Sequence, residues 1–210
     1  MPLKITPYPN GPVGISAEGQ EFPVIQMPDG DHKTVEGNTA LCRCGASKNK
    51  PFCDGSHAGI SFDSTNKCTT NELRTSVAPD ITVHFNRAIC CGSATCVQNL
   101  PAVFKSEGDD WIQPAGASAE EVIATVKKCP SGALSYTTGG VTHLAEASES
   151  SIRVIKNGPY LISGLVDFEP ETWCENSSQS VFALCRCGKS SNQPFCDYSH
   201  GEQKWDDSAT

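Results

Sequence analysis

Twelve cysteines in 210 residues set the chemistry open to this chain. CRCGASKNKPFCDGSH runs from Cys42 to His57, and CRCGKSSNQPFCDYSH runs from Cys185 to His200. Both read C-x-C-x8-C-x3-H, so the candidate ligand sets are Cys42, Cys44, Cys53 and His57, and Cys185, Cys187, Cys196 and His200. Three thiolates and one neutral imidazole form a soft donor set that suits either zinc or an iron–sulfur centre. In a 2Fe–2S arrangement the Cys-x-Cys pair would serve one iron and the Cys/His pair the other. Histidine in place of a thiolate raises the potential and lets protons compete with iron for the imidazole. A disulfide scaffold fits poorly, because a reducing compartment is expected and the closest pairs are separated by a single residue.

A third constellation lies between the two. Cys90-Cys91-Gly92-Ser93-Ala94-Thr95-Cys96 is followed far downstream by Cys129-Pro130. A 4Fe–4S run of the bacterial ferredoxin kind reads C-x2-C-x2-C and ends in Cys-Pro. Ser93 stands at the middle position of that pattern. Cys90, Cys96 and Cys129 are therefore the firm ligands, suited to a 3Fe–4S cluster or to a 4Fe–4S cluster with an unusual fourth ligand. Cys91 is the first candidate for that fourth place and Ser93 a weaker one. Cys68 and Cys174 lie outside every motif and read as small packed residues. His32, His84 and His143 have no companions at ligand spacing.

The elements that must position these groups follow from local pattern. Thr39-Ala40-Leu41 leads into Cys42 as a strand, and Val181-Phe182-Ala183-Leu184 leads into Cys185 in the same way. Asn-Gly-Pro occurs upstream of each set, at Asn10–Pro12 and Asn157–Pro159, so the duplicated unit is longer than the ligand loop. Tyr160–Ser163 reads as a strand, and Asp54 and Asp197 are placed to cap short helices. The middle segment predicts a strand at Ile81–Phe85, a loop with one short helix over Cys90–Leu100, and a returning strand at Ala133–Tyr136. A helix opened by the Ser118–Glu121 capping box carries Val122, Ile123 and Val126 on one face and ends near Lys127-Lys128. Trp111 is assigned to the core of this unit. Gly139-Gly140 and Ala145–Ser151 read as its exit linker.

The terminal sets resemble the CDGSH iron–sulfur (NEET) family. The first copy matches at Cys42, Cys44, Ser47, Pro51, Cys53, Asp54, Gly55, Ser56 and His57. The second matches at Cys185, Cys187, Ser190, Pro194, Cys196, Asp197, Ser199 and His200, with Tyr198 where the family has glycine. The resemblance implies a 2Fe–2S cluster in each loop and two units paired through a shared β-sandwich. Because one chain carries both units, an intramolecular pseudo-dimer is expected and a monomer is plausible. About residues 80–138 resemble the divergent single-cluster ferredoxin family at Cys96-Val97, Leu100-Pro101, Val103-Phe104, Trp111-Ile112 and Cys129–Leu134. Gly92 stands where members often have histidine. The expected fold class is α+β: a CDGSH unit over 1–75, a small ferredoxin-like domain over 76–148 and a second CDGSH unit over 149–210.

Composition narrows the function. The formal charge is −8, from 16 Lys+Arg against 24 Asp+Glu, and no basic run occurs, which argues against nucleic acid. No apolar stretch reaches the roughly 20 residues needed to cross a bilayer, and the N-terminus lacks a secretory signal. A soluble, cytoplasmic protein is expected. No phosphate loop, nucleophile elbow or dinucleotide fingerprint appears, so no enzyme is expected. The leading expectation is electron transfer through two 2Fe–2S clusters and one 3Fe–4S or 4Fe–4S cluster, with redox proteins as partners. The alternatives are a cluster carrier or redox/pH sensor serving cluster acceptors, and a zinc-stabilised interaction module.

Overall fold

A computed structural model describes residues 3–16, 24–34, 37–69 and 71–208. Each terminal half builds a three-stranded antiparallel sheet around its Asn-Gly-Pro turn. In the first half, Leu3–Pro7 pairs with Val13–Ser16, which pairs with Thr39–Leu41. In the second, Ser151–Val154 pairs with Tyr160–Ser163, which pairs with Val181–Leu184. Asn10 and Asn157 adopt left-handed backbone at φ 50° and 52° to close the two hairpins.

Each half then gives a strand to the other. Val166–Phe168 of the second half lies parallel to Leu3–Pro7, and Ile25–Gln26 of the first lies parallel to Ser151–Val154. His32–Lys33 extends the second sheet beyond Ile25–Gln26. Parallel neighbours from distant chain segments cannot be joined by a tight turn, so the exchange locks the two halves into one body. The buried strand faces meet in a common core that includes Ile5, Val13, Leu41, Ile152, Tyr160, Ile162 and Leu184. This is the expected α+β class, with two cluster-loop units paired inside one chain.

The central unit forms its own four-stranded antiparallel sheet in the order Leu73–Val77, Thr82–Asn86, Leu134–Thr138, Val141–His143. The helix Ala119–Val126 packs Val122 and Val126 into the core. Its capping box forms as the sequence indicates, with Ser118 Oγ accepting from the Glu121 N–H and Glu121 accepting from the Ser118 N–H. The central sheet begins at Leu73, so its first strand straddles the 75/76 division drawn from sequence. Gly139-Gly140 is a hairpin turn rather than a linker. Its φ values of 57° and 78° give the left-handed pair that a two-residue hairpin needs, and Val141–His143 returns as a strand.

Tyr160 ties the halves together chemically. It is fully buried, and its hydroxyl donates towards the carbonyls of Cys42 at 2.8 Å and Pro51 at 2.9 Å, both in the opposite ligand loop. Val13 holds the corresponding register position after the first Asn-Gly-Pro and has no such group. Tyr160→Phe would leave the Cys42 carbonyl short of a donor. We expect a loss of about 1–2 kcal/mol, read as a lower denaturation midpoint of the cluster-loaded protein with an unchanged m value.

Candidate metal centres

The two Cys3His loops are built by the same contacts. After Leu41 and Leu184 the chain leaves its strand and returns through an isolated bridge to Phe52 and Phe195. Cys42 N–H donates to the Pro51 carbonyl and Cys53 N–H to the Ala40 carbonyl. Cys185 and Cys196 repeat this with Pro194 and Ala183. Ser47 and Ser190 hydroxyls close the loops onto the Phe52 and Phe195 carbonyls, each at 2.6 Å.

Asp54 accepts from the Lys48 and Ser56 N–H groups, and Asp197 from those of Ser191 and Ser199. The Ser56 side chain, with the Lys48 and Ser56 N–H groups, holds the Asp54 carboxyl well below the usual carboxylate range. The acids therefore brace loop backbone. They sit one residue ahead of the capping position expected from sequence, because Gly55 and Tyr198 occupy the caps with left-handed backbone.

The arginine after the first cysteine of each loop reaches back to the Asn-Gly-Pro turn. Arg43 Nε and Nη2 donate to the carbonyls of Gly11 and Tyr8; Arg186 donates likewise to Gly158 and Ile155. Both arginines are buried, at 3% and 2% exposure. This contact explains why the two sequence features recur together: one fixes the other.

All eight sequence-predicted ligands of the terminal loops come together, in pairs. Cys42 and Cys44 sulfurs are 3.7 Å apart, and Cys185 and Cys187 sulfurs 3.8 Å. His57 and His200 direct Nδ1 to within 3.4 Å of Cys53 and Cys196 sulfurs. Among the described residues, no three His, Cys, Asp or Glu side chains converge on a single ion position. Each loop thus presents its four ligands as a Cys/Cys pair and a Cys/His pair. One thiol of each close pair ionises first: the shared hydrogen bond lowers Cys42 and raises Cys44, and lowers Cys185 and raises Cys187. Burial lowers His200, favouring the neutral imidazole that metal binding requires.

The middle site gathers Cys90, Cys91, Cys96 and Cys129 around a cavity of about 30 Å³ walled by Phe85, Trp111 and Leu134. Ser93 and Ser131 also line it. Cys90 is set by the turn Arg87–Ile89, capped by Asn86, whose Oδ1 accepts from the Ala88 N–H. Cys96 lies in the short helix Thr95–Asn99, and Cys129 follows the Ala119–Val126 helix. Burial raises all of Cys90, Cys91 and Cys96, the last two to about 12 and 11. Thiols in such apolar walls ionise only against a metal's positive charge. The donor set thus fits an iron–sulfur cluster. Cys68 and Cys174 stay outside every set, as expected, with Cys174 accepting from Asn192 at 3.2 Å.

The three sites touch in sequence. The backbones around Cys44 and Cys187 form an antiparallel bridge. Gly45 makes that approach possible, since a Cβ there would lie 2.5 Å from the Cys187 carbonyl oxygen. On its other side the C-terminal loop meets the middle site. Cys91 is 5% exposed and packs with Cys196, Leu161 and Ala183. The Tyr198 ring covers Gly92, leaving no space for a side chain there. Arg87 donates to the Asp197 carbonyl at 2.8 Å and pairs with Glu202 at 3.0 Å. Sequence reasoning missed Tyr160 and Arg87, which nothing in the motifs marks. The arginine after the first cysteine recurs in both motifs, but its role shows only in the contacts with the Asn-Gly-Pro turns.

Tyr198 holds φ 77°, against 88° for Gly55 in the other loop, so a strained tyrosine sits where glycine would rest easily. Tyr198→Gly would relieve that strain and strip the cover from Gly92. Iron content should stay unchanged, while visible absorbance from the C-terminal loop should bleach severalfold faster under chelator. Unchanged bleaching would show that the ring shields nothing.

The family described as "Iron-binding zinc finger CDGSH type" matches residues 10–58 and 157–201, and the one described as "Divergent 4Fe-4S mono-cluster" matches residues 77–139. The chain is also 35% identical over 75 residues to "Uncharacterized protein YjdI" of Escherichia coli (strain K12). That stretch is 36% of this chain and 90% of that protein, and the Escherichia coli O157:H7 protein of the same title matches equally. No helix among the described residues is long and apolar enough to cross a membrane. Duplicated Cys3His loops, two-and-two ligand pairing and both family matches agree: this is an iron–sulfur protein of the CDGSH-type iron-binding family, with a divergent 4Fe-4S mono-cluster domain between its two CDGSH regions.

Proposed function

We propose that the chain is a non-enzymatic electron-transfer protein that passes single electrons along three adjoining sites to a redox partner protein. Cys42, Cys44, Cys53 and His57 would hold one 2Fe–2S cluster, and Cys185, Cys187, Cys196 and His200 a second. Cys90, Cys91, Cys96 and Cys129 would hold a 4Fe–4S cluster. When bound, such clusters accept and release one electron at a time over a wide range of potentials.

The observation that carries this reading is the contact order of the sites. The C-terminal loop touches the middle site through Cys91 and Tyr198, and touches the N-terminal loop through the Cys44/Cys187 bridge. The chain's own residues keep that order rigid. Tyr160, Arg43 and Arg186 fix the loops to the exchanged sheets, and Arg87 fixes the middle unit to the C-terminal loop. A carrier that releases its cluster has no use for three sites in contact. The placement of Cys91 on the same cavity as the other three thiols supports four-thiolate ligation.

Iron and sulfide analysis should return about eight iron atoms per chain. Stepwise reduction with dithionite should give separable EPR signals that broaden one another. Isolated, non-interacting signals would remove the relay, and no reducible signal in cluster-replete protein would remove electron transfer altogether. Cys91→Ser should convert the middle centre to a 3Fe–4S signal with one iron fewer. An unchanged 4Fe–4S spectrum in that variant would exclude Cys91 as a ligand.

A further inference from the structure

The duplicated halves treat the same buried arginine differently. Arg186 pairs with the Asp207 carboxylate in addition to its two carbonyl contacts. Asp207 is itself locked to the second turn: its carboxylate accepts from the Asn157 N–H at 3.1 Å, and its own N–H donates to Asn157 Oδ1 at 3.0 Å. In the first half Ser64 makes the matching pair of contacts with Asn10, at 2.8 and 2.9 Å. An aromatic ring faces each guanidinium, Phe62 at 5.5 Å and Trp205 at 4.8 Å. Only the carboxylate is missing from the first copy. Among the described residues, Arg43 makes no ion pair, whereas Arg186 pairs with Asp207 through Nη2.

A cavity of about 240 Å³ opens at that place, lined by Arg43, Asn10, Ser64, Gln193 and the exposed Glu171. Gln193 is 3% exposed, with its amide beside the Cys185 thiol. A buried guanidinium without a carboxylate partner costs stability. Arg43 lines this space, and one carboxylate ligand there would supply the missing partner.

We infer that this cavity binds a small monocarboxylate, which takes the place beside Arg43 that the Asp207 side chain occupies beside Arg186 Nη2. Arginine and carboxylate form a strong, charge-assisted hydrogen-bonded pair. A single charge is favoured over a phosphate because Arg43 offers one guanidinium and the Glu171 carboxylate lines the same cavity. The site lies beside the C-terminal ligand loop, since Gln193 and Pro194 of that loop line the cavity. Occupancy would therefore reduce the positive field there.

The test uses cluster-loaded full-length chain and acetate, with chloride at equal ionic strength as the control. Acetate should raise the melting midpoint saturably, as a ligand of the native state does. Ser64→Asp supplies the carboxylate from within: it should raise the midpoint without acetate and weaken the acetate response at least tenfold. Ser64→Asn, similar in size but uncharged, should keep the response. Asp207→Ser should create a second acetate response in the other half. No saturable response in the parent chain, or an equal response in the parent and Ser64→Asp, overturns the site. None of these outcomes depends on electron transfer.

Discussion

Everything in this molecule depends on the exchange of edge strands between its halves. Each three-stranded sheet is continued by a strand contributed by the other half, Val166–Phe168 on one side and Ile25–Gln26 on the other. An unpaired edge exposes a row of donors and acceptors, so neither half is complete without its counterpart. The ligand loops rise directly from strands of these sheets. Fixing the sheets therefore fixes the loops, and the Cys44/Cys187 backbone bridge is possible because that placement is rigid. A homodimer built this way would depend on protein concentration; joining both units in one chain removes that dependence.

Much of this was legible in the sequence, and the reasons differ by element. The ligand sets were legible because metal chemistry demands specific residue types at short spacing. Tyr160–Ser163, Val181–Leu184 and Thr39–Leu41 were legible because each is a short apolar run bounded by turn residues or a ligand cysteine. The Ala119–Val126 helix announced itself through its capping box. The exchanged strands were not legible. Ile25–Gln26 is two residues long and Val166–Phe168 three, too short for an alternating pattern, and their partners lie more than 100 residues away. Gly139-Gly140 was misread as a linker because a glycine pair serves a flexible segment and a tight hairpin equally well; only the register with Val141–His143 separates them. The buried arginines were visible as repeats, yet their role depends on turns about 30 residues away in sequence.

Duplication also makes the differences informative, because the shared scaffold acts as its own control. Where both copies keep a residue, its backbone contacts are the same in each, as for Ser47 and Ser190, Asp54 and Asp197, and the carbonyl contacts of Arg43 and Arg186. Where they differ, the difference lies at a boundary. Tyr160 against Val13 lies between the halves, Tyr198 against Gly55 faces the middle unit, and Asp207 against Ser64 closes or opens a cavity. Loop geometry is thus held constant while the surroundings of the two sites diverge.

That divergence accounts for the side on which the middle unit docks. A glycine at position 198 would satisfy the left-handed turn with no backbone cost, as Gly55 does in the other loop. A tyrosine there carries strain of order 1 kcal/mol or more, so something must offset it. The offset is contact: the ring lies on Gly92, and Arg87 bonds to the Asp197 carbonyl next door. Gly92 in turn has to be glycine, both for its φ of 69° and because the ring leaves no room for a Cβ. A histidine at that position, as the related ferredoxins often carry, could not coexist with Tyr198. The two departures from their families' patterns, Tyr198 in one motif and Gly92 in the other, are therefore one structural feature seen from both sides. It is the joint that sets the middle site against the C-terminal loop and leaves the N-terminal loop at the far end.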